Sequence, residues 1–123
     1  MPDEITLTLP HAPEFQRVAY FVLGGLAARL NLTVEDLEDL QLALDAVLDS
    51  VDPDAGDVTV QMSVNGNELE TRVGPLLPAF LEQIEGDADG EQLGARRVLD
   101  STVDDVNVDG EWVRLTKRIV AGG

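Results

Sequence analysis

The stretch LQLALDAVLDSV, Leu40 to Val51, sets Leu40, Leu44, Val47, Leu48 and Val51 at the spacing of one helix face. Asp45 and Asp49 stand one turn apart, off that stripe. Upstream, Leu37 joins the stripe, Thr33 is placed to cap the helix, and Glu35 and Asp36 fall in its first turn. Downstream the period changes. DPDAG, Asp52 to Gly56, reads as a turn, and DVTVQMSV then alternates Val58, Val60, Met62 and Val64. Asn65-Gly66 marks a hairpin, and ELETRV returns with Leu69, Thr71 and Val73. A buried-face helix followed at once by a hairpin predicts a sheet with helices laid against it.

The flanks extend the pattern. EITLTLP alternates Ile5, Leu7 and Leu9 as a strand would. A helix follows from Pro13, with Phe15, Val18, Ala19, Val22, Leu26 and Leu30 expected on its buried face. Gly24-Gly25 is its weak point, or a place where another backbone comes close. After GPLLPAF, a short helix is expected over Pro78 to Ile84 and another from Gln92 to Leu99. TVDDVNVD and EWVRLTKRIV close the chain as two strands around Asp109-Gly110. The order β-α-α-β-β-α-α-β-β predicts one α+β domain over residues 1–123. Its form is a two-layer sandwich, a mixed, mostly antiparallel sheet with helices on one face.

Composition limits the functions. The 123 residues hold 24 acidic against 8 basic side chains, a formal charge of -16. Such a surface repels phosphate backbones and anionic membranes and attracts a basic protein. Direct nucleic-acid or membrane binding is therefore not expected; an acid-rich source composition is the other reading of the charge. Without cysteine there is no disulfide, thiolate metal site or Cys nucleophile. The first residues lack the basic and apolar regions of a signal peptide, so the cytoplasm is the expected compartment.

The paired helices (EFQRVAYFVLGGLAARLNLTVEDLEDLQLALDAVLDSV), the hairpin VTVQMSVNGNELETRV and the ending GEQLGARRVLDSTVDDVNVDGEWVRLTKRI together resemble bacterial anti-sigma factor kinases. Those proteins carry the histidine-kinase-like (GHKL, Bergerat) ATPase fold. The resemblance implies a site for Mg-ATP or ADP, a sigma factor or anti-sigma antagonist as partner, and a homodimer. It places Asp45 at the position of the family's catalytic base and Asp49 at that of its magnesium-holding Asn. Gly90, Leu93 and Gly94 match its phosphate loop, and Arg17 a partner-contacting position. The chain also departs from the pattern. Asp45 is one methylene shorter than the family's Glu, and Asp49 is charged where the family has Asn. Gln92 replaces a glycine. Pro75, Leu77 and Ala79 stand where the family's Asp-x-Gly-x-Gly turn would hold adenine, and none accepts a hydrogen bond from its side chain. With those departures, no cofactor is expected.

Three readings stay open on the residues alone: a degenerate anti-sigma-like regulator acting by protein binding, an ATP-dependent serine protein kinase, and a dimerisation or scaffold module. Arg96 and Arg97 suit a salt bridge or a partner-facing surface better than phosphate. Trp112 is expected in the core. His11 is the only histidine, and Ser50, Ser63 and Ser101 have no nucleophile context.

Overall fold

The computed structural model describes residues 3–10, 12–49, 51, 56–86 and 95–119. His11, Ser50, the turn at 52–55, and Gly90, Gln92, Leu93 and Gly94 lie outside them. The elements follow the expected order: β1 (Asp3–Pro10), α1 (Pro13–Leu30), α2 (Val34–Leu48), β2 (Asp57–Asn65), β3 (Glu68–Gly74), α3 (Pro78–Gly86), α4 (Ala95–Thr102), β4 (Asp105–Asp109) and β5 (Trp112–Arg118).

The strands form one sheet in the order β1-β2-β3-β5-β4. All four pairings are antiparallel, so the expected mixed sheet is corrected to a wholly antiparallel one. Two pairings, β2 with β3 and β4 with β5, are hairpins and antiparallel by construction; β1 lies beside β2 after the two-helix connection, and β5 returns beside β3. In both tight hairpins the polar residue before glycine is the last paired one, Asn65 against Glu68 and Asp109 against Trp112. Gly66 and Gly110 then take φ of 58° and 63°, the left-handed region that glycine enters without strain.

Alternation divides the sheet. Val58, Val60, Met62, Leu69, Val73, Val113 and Leu115 are buried toward the helices in a single apolar core. The outer face is polar, with Gln61 donating to Glu4 at 3.2 Å and Arg72 paired to Asp109 at 3.4 Å. Trp112 falls on this outer face, out of phase with Val113 and Leu115, which corrects the expected core position. Its indole lies over Gly74, where a Cβ would come within 2.6 Å of Trp112 Cδ2.

The helices meet their expectations unevenly. Thr33 caps α2 by accepting the Asp36 backbone N–H at 3.0 Å. Leu40, Leu44, Val47 and Leu48 are buried as their spacing required, each worth about 1.5–3 kcal/mol of apolar burial. On α1 the buried arc is turned from the expected one. Ala19, Leu23, Leu26 and Ala27 are buried, while Phe15 and Val18 are 39% and 38% exposed. Gly24 and Gly25 offer no side chain to mark the edge of the arc, so its centre was misread. α4 runs to Thr102, three residues past the expected end, because Thr102 turns its hydroxyl back to the Val98 carbonyl at 2.7 Å.

Candidate functional site

α2 lies between α1 and α4, and its two flanks hold the acidic residues differently. On the α4 side, Lys117 ends the inward alternation Val113-Leu115-Lys117 of β5 and reaches the helix layer with its side chain 13% exposed. Its Nζ donates to the Thr102 carbonyl at 2.9 Å and to Asp39 Oδ2 at 3.3 Å, with Asp36 Oδ1 at 3.8 Å. The Thr102 carbonyl belongs to the last turn of α4, where it lacks an intrahelical partner and the helix dipole favours a cation. One lysine therefore ties β5, α2 and α4 together.

Asp45 leaves α2 elsewhere. At about 100° per residue, the six positions from Asp39 to Asp45 carry the chain roughly 240° round the helix. Asp45 is exposed, and its Oδ1 accepts the Tyr20 hydroxyl of α1 at 2.8 Å. The Tyr20 phenol is held above its ordinary range by burial first, then by the Asp45 bond and by the charges of Asp45 and Asp49. Asp49 is the C-cap of α2; its backbone N–H bonds the Asp45 carbonyl at 3.0 Å. No basic residue stands in the last turn of α2. Both carboxylates thus face the negative end of the helix dipole with no cation from the helix itself. Tyr20, Glu38, Gln41, Leu42 and Asp45 line a cleft of about 480 Å³ between α1 and α2.

The segment after β3 turns inward. Leu76 is 2% exposed, bridges Val51 beyond the end of α2, and donates its N–H to the Glu111 carbonyl at 2.9 Å. Phe80, Leu81 and Ile84 of α3 are buried behind it. Of the positions singled out in the sequence, Pro75 is half-buried and Leu77 and Ala79 are exposed. The buried side chains of this segment are their neighbours, Leu76 and Phe80.

The structure brings Asp45 and Asp49 together on the outer side of α2. Arg17 is exposed on α1, and the phosphate-loop candidates Gly90, Leu93 and Gly94 lie outside the described residues. Arg96 makes the expected salt bridge, its Nε 3.0 Å from the Asp100 carboxylate, and its Nη1 donates to the Ile84 carbonyl at 2.6 Å. Among the described residues, no three His, Cys, Asp or Glu side chains gather as metal ligands, and no helix is long and apolar enough to cross a membrane. Sequence reasoning missed Tyr20 and Lys117. Lys117 was visible as a cation in phase with an inward strand pattern; Tyr20 carried no such signal.

No family model matches the chain. Serine-protein kinase RsbW of Listeria monocytogenes is 37% identical over 79 residues, 59% of this chain and 50% of that protein. RsbW of Bacillus velezensis is 32% identical over 77 residues, 58% of this chain and 48% of that protein. RsbW of Halalkalibacterium halodurans is 29% identical over 93 residues, 76% and 57% of the two chains. The chain thus matches about half the length of these curated relatives. Over the region they share, it is a homologue of the serine-protein kinase RsbW, in keeping with the anti-sigma factor resemblance carried by its motifs.

Proposed function

We propose that this chain is an anti-sigma-like regulator that acts by binding a protein, a sigma factor or an anti-sigma antagonist, and that its nucleotide site has been lost. The observation that carries the loss is the path after β3. Pro75 stands where the family's turn would present an Asp to adenine, and the next residue, Leu76, is buried with its backbone N–H bonded to the Glu111 carbonyl. Pro75, Leu77 and Ala79 add no side-chain acceptor. The chemistry at α2 points the same way. Asp45 is bonded to Tyr20, and Asp49 adds a second anion where phosphates would have to come. A carboxylate pair suits a hard cation, but among the described residues nothing beside it suits an adenine, so no catalytic step is derived through Mg-ATP. The charge of -16 supports a basic partner surface, to which association would be fast at low salt and weaker at high salt.

The printed name of the relatives, serine-protein kinase, favours a second reading in which ATP binding and phosphoryl transfer survive. Calorimetric titration with Mg-ATP and Mg-ADP separates the two. The regulator reading expects no saturable heat. Saturable binding that disappears in Asp49→Ala, with phosphate transfer to a serine of a bound antagonist, would replace it with the kinase.

A further inference from the structure

Among the described residues, five of the six large apolar side chains that stand exposed belong to α1 or α2: Phe15, Val18 and Phe21 on the first, Val34 and Leu42 on the second. Phe21 is 78% exposed and Leu42 is 55% exposed, values that the interior of this chain gives no reason for. Two hollows follow one another between these helices. One, of about 260 Å³, runs past Gly24, Ala28 and Val34; the other, of about 480 Å³, runs past Tyr20, Leu42 and Asp45. Together they follow α2 from Val34 to Asp45, about 16 Å of helix, or three turns.

The glycines add to this. Gly24 and Gly25 lie inside an 18-residue helix, yet a Cβ at either would meet nothing within 4 Å. Neither takes the left-handed backbone seen at Gly56, Gly66 and Gly110. Intramolecular packing does not require them, and each weakens the helix relative to alanine. Gly24 leaves open backbone along the groove.

Charge identifies the occupant. Glu35, Glu38, Asp45 and Asp49 line the outer side of α2 around Leu42, and α2 carries no basic residue. No ion pair engages any of these carboxylates among the described residues. A second copy of a chain with charge -16 would bring more of the same sign to this surface. We infer that the α1–α2 groove docks an amphipathic basic helix of a partner protein, its apolar side chains over Leu42, Tyr20 and the gap at Gly24 and its Lys or Arg residues against the α2 carboxylates. This rests on the protein-binding function proposed above and gives that function a surface and a partner chemistry.

The test uses the whole chain and two synthetic 18-residue peptides of identical Lys, Arg and Leu content. One carries Leu at positions i, i+3, i+4 and i+7; in the other the order is scrambled. Fluorescence anisotropy is expected to give the amphipathic peptide about tenfold tighter binding, the effect of placing one or two apolar side chains in a groove. Leu42→Gln and Phe21→Ser, both at exposed positions, should abolish that difference with unchanged melting temperature, and Glu38→Lys should weaken both peptides. Equal binding of the two peptides would overturn the groove in favour of bare charge attraction. Self-association dissolved by Phe21→Ser would overturn it in favour of a second copy. Purified sigma factor and antagonist separate this inference from the function. Binding of either that survives Leu42→Gln and Glu38→Lys keeps the regulator and removes the groove. Selective peptide binding with neither protein bound keeps the groove and removes the regulator.

Discussion

The two flanks of α2 carry the same residue types to opposite ends. Toward α4, Asp36 and Asp39 converge on Lys117, which also holds the carbonyl end of α4. Toward α1 and the solvent, Glu38, Asp45 and Asp49 have one phenol between them and, among the described residues, no ion-paired cation. On the first flank, acid serves assembly of the fold. On the second, Asp45 and Asp49 sit at the unfavourable end of the helix dipole, offset in part by the bond from Tyr20 to Asp45. A helix that stabilises the protein on one side and gives up stability on the other has a surface available for binding on the second.

The comparison can be broken from its shared foundation outward. Leu44 lies beneath both flanks and is 2% exposed, so Leu44→Ala should cost about 2–5 kcal/mol in urea unfolding, the largest effect here. Lys117→Met keeps the aliphatic stem but strands two carboxylates and a helix-terminal carbonyl. Its expected cost is about 1–3 kcal/mol, with a large coupling to Asp39→Asn in a double-mutant cycle. On the other flank the sign reverses. Asp49→Asn removes an anion from the end of α2 and from its neighbour Asp45, and should raise stability by about 0.3–1 kcal/mol, less in high salt. If Asp49→Asn destabilises as Lys117→Met does, the two flanks are not different in kind.

The smallest effect belongs to Tyr20. Its neutral phenol is the bonded form, so its contribution is complete below the ordinary phenol value of about 10 and is lost as pH rises above it. Tyr20→Phe should therefore lower the melting temperature slightly near pH 7, and the difference from the parent chain should shrink on the alkaline side, where the parent loses the same contribution. An unaltered alkaline limb would mean that the Tyr20–Asp45 bond contributes nothing in solution.

The sequence was most legible where one local signal determined the structure. The Thr33 cap, the two glycine hairpins and the Leu40–Leu48 part of the α2 stripe each depend on residues within a few positions of one another, and each is found as read. Legibility failed where tertiary partners decide. The arc of α1 was centred on Phe15 and Val18 because the pattern looks apolar there, yet the helix faces the core through Leu23 and Ala27. Trp112 was assigned inward on size, while strand phase puts it outside over Gly74. At the candidate site, Asp45 and Asp49 could be named from the family pattern. That Tyr20 would occupy Asp45, and that Leu76 rather than Pro75 would turn into the interior, depends on contacts 25 or more residues apart along the chain. No periodicity encodes such contacts.

The stacking of Trp112 on Gly74 has a practical consequence. The chain has a single tryptophan, so its intrinsic emission comes from one place: the last residue of β3, at the root of the Pro75–Leu76 segment. A shift of that emission without label or mutation would report rearrangement of the very backbone on which the fate of the nucleotide site turns, while a partner seated on α1 and α2 would leave it silent.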